Sequence, residues 1–578
     1  MRNGLGRLLT ETVGRPAGLQ FAQSVDCSHG MARPRGQRMS GPDARHPETE
    51  LTCEDLTPMQ TVASSDWAGG TLPGVMAGKR PPRRAKLVLP VIFLALCAQA
   101  TTYYVAKTGD DGNPGTEAQP WLTVTKCKNI VVAGDTVWVK AGTYEEPYIR
   151  FNGNAGTAAA PIVLKAYDGW SSVLRINVKF EKKHYRMEGF KIVRDSLDAL
   201  RHAFKFDTGG DSCAIRDCEV TTTGPNSTYG GLGIHAGGRT GLIIANNTVH
   251  GFQCSYDSGA YGMYLECSNS SVVYNTVYDN SGLAFHCYSS GGNFDNNEVA
   301  YNIVHSNGST GILTDGRCNS IHHNIIYNND YRGIYLYPGT SDSNNVYNNV
   351  IFNNGYYGLN ITGTGNVIKN NICVDNYAAI AFGSAANRTS TTLDYNCYGA
   401  SPGAVWLPGS ATFAKYRETT GQDAHAVLSD PAWVDTAAGD FRLTSSSPCI
   451  NAGDPTTPFG FDINGIAMPQ GMAVDIGAYE YPAYDTIPRR RSIKSVSFAI
   501  TPNPLSSGMA AVHYYPPAER TARLEVFSAS GRLVRSSFIV RRSSFPLDLR
   551  AMPAGVYLVR MTADGSSSTQ KLIVARRD

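Results

Sequence analysis

Through the middle of the chain, apolar residues recur in five-residue bursts that never lengthen into a helical period. Each burst opens on Gly, carries apolar residues at its second and fourth places and usually ends on a polar residue: GLGIH (231–235), GMYLE (262–266), GLAFH (282–286), GILTD (311–315), GIYLY (333–337), GLNIT (358–362) and the degenerate AIAFG (379–383), with AFKFD (203–207) as an earlier copy. A period of two over five residues predicts strands rather than helices. Between these bursts runs a second phrase, NNTV, YNTV, YNIV, HNII, NNVI and NNIC, with its Asn at 247, 275, 302, 324, 349 and 371.

Two or three short strands in about 22 residues fit one coil of a parallel β-helix, each coil burying its apolar side on its neighbours. A leucine-rich repeat has a similar length but needs Leu at fixed places and usually a helical segment, whereas this repeat is built from Asn, Gly and β-branched residues. Coils of parallel strands stack about 4.8 Å apart, so equivalent positions form ladders. The pattern predicts one inward ladder of Phe204, Leu232, Met263, Leu283, Ile312, Ile334, Leu359 and Ile380. A second runs through Phe206, Ile234, Leu265, Phe285, Thr314, Leu336, Ile361 and Phe382. The repeated Asn is expected to be structural, because an amide both donates and accepts and can satisfy the next amide and a bent backbone together.

Composition agrees. Among 578 residues, charged ones make up only 17% while Gly reaches 59 and Tyr 31, which favours many short strands and tight turns over long surface helices. The length suggests two or three domains. The net charge is +3, and the basic residues sit in short runs rather than on one face, which argues against a nucleic-acid partner. Thirteen Cys include no CxxC pair, which argues against a zinc site.

Residues 1–78 lack any sustained apolar period and read as disordered, or as translated sequence upstream of a start at Met76. Residues 79–100 read as an export signal. Lys79, Arg80, Arg83, Arg84 and Lys86 precede the eleven apolar-rich residues 87–97 and a small-x-small site at 98–100. That apolar stretch is too short to span a bilayer, so the mature chain is expected to have no transmembrane helix. Leu96 before Cys97 is too bulky for a lipoprotein signal. In an oxidising compartment the ten Cys of the mature chain are allowed to pair. Cys267 and Cys287 are expected to face inward on adjacent coils, as a packed stack or a disulfide.

Together these residues resemble the right-handed β-helix repeat proteins of the pectate-lyase-like superfamily. The likeness extends to the opening segment YYVAKTGDDGNPGTEAQPWLTV (103–124) and to the exit GDFRLTSSSPCINAGD (439–454) and VDIGAYEY (474–481). It implies an all-β fold, a right-handed parallel β-helix over 101–484. A linker (485–492) then leads to a small antiparallel β-sandwich at 493–578. TPNPLSSG (501–508), SASGRLVR (528–535) and PAGVYLVR (553–560) resemble the C-terminal sorting domain of type IX secretion, with a generic Ig-like module as the alternative. The resemblance implies a secreted or cell-surface protein, expected to be a monomer, with the secretion machinery as one partner. For activity it is weak, because one fold hosts lyases, hydrolases, epimerases and non-catalytic proteins.

With the second and fourth places inward, the first, third and fifth face solvent. The fifth place then reads Asp207, His235, Glu266, His286, Asp315, Tyr337 and Thr362. The third supplies Lys205, Tyr264 and Tyr335, and Arg317 stands just beyond Asp315. A stripe of ionisable groups edged by Tyr suits an extended polysaccharide, whose rings stack on aromatic faces while carboxylates and imidazoles meet hydroxyls. The longer segments 248–261 and 287–301 are expected to wall it. A hydrolase needs an acid and a base, and Glu266 and Asp315, two coils apart, form such a pair with His286 between them. A lyase needs a base, for which Lys205 is the candidate, and a cation such as calcium held by Asp207, Glu266 and Asp315. Binding without catalysis, by a surface or adhesion protein, is the third reading. The turn Asp110-Asp111-Gly112-Asn113 is expected to be a polar cap before a calcium site.

Overall fold

The structure, a computed structural model, describes residues 100–575 except 147, 195–201, 225–230, 255–259, 289–293, 339–340, 401–411, 458–459, 482–496, 502–508, 516–521, 540–543, 550–551 and 564–565. The expected N-terminal extension, nearly all of the export signal and the linker at 485–492 lie outside the described residues.

From Thr102 to Asp394 the chain winds as a parallel β-helix of three sheets, with twelve, ten and ten strands. Every strand but the first and last of each sheet pairs in parallel with its equivalents one coil before and after. Most strands have three residues because the chain must turn a corner after each one. Ladder Asn residues make those corners. Each is preceded by a residue in the left-handed region: Asn246 (φ 55°), Tyr274 (58°), Tyr301 (59°), His323 (51°), Asn348 (49°), Asn370 (57°) and Tyr395 (57°). That conformation is costly for side chains other than Gly, Asn and Asp. The Asn that follows holds it in place.

The Nδ2 of Asn247, Asn275, Asn302, Asn324, Asn349 and Asn371 donates to Oδ1 of the next ladder Asn at 2.9–3.1 Å. The backbone N–H of each donates to the same oxygen at 2.9–3.1 Å. The second amide hydrogen reaches a strand carbonyl, as from Asn324 to Val299 at 2.9 Å. The other two corners carry ladders of their own, Asn280–Asn307–Asn329–Asn354–Asn376 and Asn297–Asn319–Asn344–Asn366, which the sequence reading did not identify.

The sheet that contains His202–Phe206 turns two aliphatic and aromatic ladders into the core, beside residues of the twelve-stranded sheet such as Ile244, Val272 and Val299. In two coils the ladder register differs from that expected. Phe204 pairs with Ile234, not Leu232, and Met263 pairs with Phe285, not Leu283. The inward ladders are therefore Phe204, Ile234, Met263, Phe285, Ile312, Ile334, Leu359, Ile380 and Phe206, Ala236, Leu265, Cys287, Thr314, Leu336, Ile361, Phe382. The first place of the phrase fixes this. A methyl group at Gly333 would stand 2.4 Å from Ile351 Cγ2 and 2.6 Å from the Gly358 carbonyl oxygen, and one at Gly233 would stand 2.4 Å from the Gly262 oxygen. Gly233 and Ala284 occupy this tight place, so Gly231 and Gly282, two residues earlier, are not the phrase's first residue. Cys267 and Cys287 are both buried thiols, but they are offset by two places along their strands rather than stacked.

At the N-terminal end Asp111 accepts from the amides of Leu122 and Thr123 at 2.9 Å and from the Thr123 hydroxyl at 2.6 Å, and Asp110 accepts from Gly112 N at 2.7 Å. The turn is thus a hydrogen-bonded polar cap. After Asp394 the exit segment brings Phe441, Leu443, Cys449, Ile476 and Ala478 onto Ile325, Val350, Ile372 and Cys397 of the last coils. Its carboxylates tie down loop backbone: Asp462 accepts from Asn464, Ile466 and Glu480 N–H, and Asp475 from Asn451 and Tyr481 N–H. Residues 497–574 form antiparallel sheets of three and four strands around Val512, Leu524, Val526, Val559, Met561 and Leu572. Their strand Ser544–Asp548 was not foreseen. It lies at a sheet edge, where the missing N–H of Pro546 is tolerated.

Replacing Asn324 by Ala removes the acceptor of two buried Asn302 donors and leaves the Val299 oxygen without its amide. Buried polar groups left unmatched cost about 1–3 kcal/mol each. Asn324→Ala is expected to destabilise the β-helix by about 2 kcal/mol or more, read as a lower denaturant midpoint by circular dichroism.

Candidate active site

The expected stripe lies on the outer face of the ten-stranded sheet that contains Val178–Phe180, His202–Phe206, Leu232–Thr240, Tyr261–Ser268, Phe285–Cys287, Ile312–Thr314 and Ile334–Leu336. The corrected register changes its composition. The third place reads Lys179, Lys205, His235, Tyr264, His286, Leu313 and Tyr335, and the fifth reads Glu181, Asp207, Gly237, Glu266, Tyr288, Asp315 and Tyr337. His235 and His286 thus leave the carboxylate row and join the row of Lys205 and Tyr264. An unbroken run of ionisable fifth places does not exist. Glu266 has Gly237 on one side and Tyr288 on the other.

The N-terminal end is basic. Lys179 Nζ lies 2.9 Å from Asp207 Oδ2, and Lys205 Nζ lies 3.4 Å from Oδ1. Burial would raise the Asp207 carboxyl, but the Lys179 hydrogen bond, the Thr208 amide and the Lys205 charge hold it well below the usual range. In the gap at Gly237, a Cβ would stand 3.6 Å from Lys205 Cε and 3.7 Å from His235 Nε2. Lys205 therefore lies beside the empty place that separates Asp207 from Glu266.

Beyond the gap the face becomes aromatic. His235 meets Tyr264 edge-on at 5.4 Å, Tyr264 meets His286 at 4.7 Å, and His286 stacks on Tyr288 at 5.4 Å. Tyr288 meets Tyr337 at 6.2 Å, and Tyr337 meets Tyr335 at 5.3 Å. Burial pushes His235 and His286 down to about 4, the nearby Lys205 charge adding to the shift at His235, so both rings are neutral at neutral pH. Burial and the Glu266 charge push Tyr264 up to about 12. Glu266 is raised by burial and by the Asp315 charge, against the lowering pull of Lys205. Asp315 itself is almost covered. A carboxyl whose hold on its proton is raised in this way suits a proton donor to a leaving group.

Lys205, Asp207, His235, Glu266, Tyr264, His286 and Asp315 thus share one face, with Tyr335 and Tyr337 continuing it. Arg317 stands apart, its guanidinium 4.0 Å from Asp342. The three carboxylates expected to hold calcium do not converge. Asp207 is engaged by two ammonium groups, and whole coils separate it from Glu266 and Glu266 from Asp315. Among the described residues no three His, Cys, Asp or Glu side chains are placed to hold a metal ion. No step is therefore routed through calcium. The segments 248–261 and 287–301 are described only in part. Sequence reasoning missed Lys179, although NVKFE (177–181) repeats the pattern of AFKFD. It also missed Tyr288, which the slipped register had set two places beyond the end of its phrase.

The family described as right handed beta helix region matches residues 200–320 and 293–415, and the secretion system C-terminal sorting domain matches 499–575. The protein YwoF of Bacillus subtilis (strain 168) is 23% identical over 447 residues, 60% of this chain and 91% of that protein. Pectate lyase PEL9 of Emericella nidulans is 33% identical over 85 residues, 14% of this chain, which spans only 21% of that protein. Among solved structures, pectate lyase Pel9A aligns with a TM-score of 0.45 and 16% identity, over 66% of this chain and 96% of that one. No helix among the described residues is long and apolar enough to cross a membrane.

Two titrations check the electrostatics. His235 and His286 are expected to stay neutral down to about pH 4, so their ring signals in nuclear magnetic resonance should not move between pH 8 and 6. Lys205→Met removes the charge that favours ionised Glu266, so the Glu266 carboxyl, followed by carbon-13 resonance, is expected to titrate at higher pH than in the parent.

Proposed function

We propose that this right-handed β-helix repeat protein, which carries a type IX sorting domain and is exported to the cell surface or the medium, binds an extended polysaccharide along its ten-stranded sheet and cleaves it at Glu266. One observation carries the reading: Glu266 is raised by burial and by Asp315 at the point where a basic stretch meets an aromatic one on a flat parallel sheet. The lysines suit acidic groups on the polymer, and the tyrosines suit its ring faces.

In the hydrolytic form, protonated Glu266 donates to the glycosidic oxygen as the bond breaks. Asp315 takes the proton of the attacking water. Two coils separate their Cα atoms by roughly 10 Å, near the separation of an inverting pair, with Tyr288 on the coil between them. The eliminative form would use Lys205 as its base, and Lys205 Nζ is engaged by Asp207 Oδ1 at 3.4 Å. The local likeness to pectate lyase PEL9 keeps that form as an outcome of the test. A non-catalytic glycan-binding role uses the same face, with Tyr264, Tyr335 and Tyr337 as its contacts.

Glu266→Gln keeps the shape of the side chain and removes its acid. It is expected to lower turnover by about 10²–10⁴-fold, the usual contribution of a positioned proton donor, with polysaccharide affinity nearly unchanged. Asp315→Asn is expected to lower turnover and to move the alkaline limb of the pH–rate profile, which reports the loss of the Glu266 proton, to lower pH. Weaker binding with no turnover to lose would favour the binding protein instead.

A further inference from the structure

Where the β-helix ends, two thiols meet. Cys397 follows Asn396, which closes the long Asn ladder by accepting from Asn371 N at 3.0 Å. It bridges Ile372 of the last coil to Val427 of the exit segment. Its N–H donates to Asn371 O and its carbonyl accepts from Cys373 N, both at 2.8 Å. Cys449 comes from the other side, in the exit sequence SSPCINAG. Its N–H donates to Ser447 Oγ at 3.2 Å and its carbonyl accepts from Ile476 N at 3.0 Å.

Both cysteines have no exposed surface and belong to one apolar cluster with Ile372, Phe441 and Ile476. The two side chains lie close enough to influence one another, and the Cys397 thiol also reaches Ser429 O at 3.5 Å. Backbone bonds on either side thus bring the two buried thiols into one apolar cluster from separate segments. Neighbouring Cys373 is directed elsewhere, its thiol donating to Ala379 O at 3.0 Å.

The sorting domain sends this chain through an oxidising compartment, where such a pair does not stay reduced. We propose that Cys397 and Cys449 are joined by a disulfide in the exported protein, stapling the exit segment to the last coil. The oxidant is the disulfide of a thiol oxidoreductase of that compartment. The thiolate of one cysteine attacks it, forming a mixed disulfide, and the thiolate of the other displaces the reduced carrier. Two electrons pass to the carrier, and the two thiol protons leave with it or to water. Because both sulfurs are covered in the fold, the bond forms as the exit segment closes, and it then keeps the covered end of the β-helix from opening.

The test uses the full chain recovered after export, denatured in the presence of a maleimide and mapped by mass spectrometry without reduction. The expected result is a linked peptide pair containing Cys397 and Cys449, lighter by two hydrogens than the two separate thiols. Maleimide on both residues, or a bridge from either of them to Cys373, would overturn the proposal. Thermal unfolding supplies an independent reading. A phosphine reductant is expected to lower the midpoint of the parent by several degrees, as loss of a native cross-link does, and to leave the Cys397→Ser, Cys449→Ser double variant unmoved. Equal responses in the two proteins would also overturn it.

Discussion

The side-chain amide of the corner Asn is the interaction on which the rest of this structure depends. A parallel β-helix must bend its backbone three times per coil, and each bend strands polar groups inside a dry stack. At this protein's corners one residue adopts the left-handed conformation, even when it is Tyr274, Tyr301 or His323. The next residue is an Asn whose amide serves its own coil and both neighbours. A chain of such amides polarises along its length and is costly to interrupt.

Register follows from that constraint, and the chemistry of the face follows from register. Once the corners are pinned, the place after each long excursion is Gly or Ala from Ala203 to Ala379, because a larger side chain would strike the neighbouring coil. Counting from that place brings Lys179, Lys205 and Asp207 together, leaves a gap at Gly237, and sets Glu266 between Lys205 and Asp315. The pull of one and the push of the other on the same carboxyl depend on coil spacing alone. Coil length varies between 21 and 30 residues along this sheet without disturbing the arrangement.

Much of this could be read directly. The Asn at 247, 275, 302, 324, 349 and 371 recurs in a phrase clear enough to give the fold and the ladder. The other two ladders were hidden, because their Asn follow unlike residues such as Asp279, Ser306, Cys318 and Ser343 and so make no repeated phrase. The slip at His235 and His286 has an equally local cause. Gly231 and Gly282 imitate the tight first place two residues early, and alternation cannot distinguish a shift of two. Their removal from the carboxylate row is a matter of steric fit between coils, which composition and period do not encode.

The most direct measurement takes the exported chain across a panel of acidic and neutral polysaccharides, with calcium and with chelator. Reducing ends and the ultraviolet absorbance of unsaturated uronates are followed together. The account predicts reducing ends without unsaturated product, insensitive to chelation and lost in Glu266→Gln. Silence across the panel, or release that survives Glu266→Gln, would contradict it.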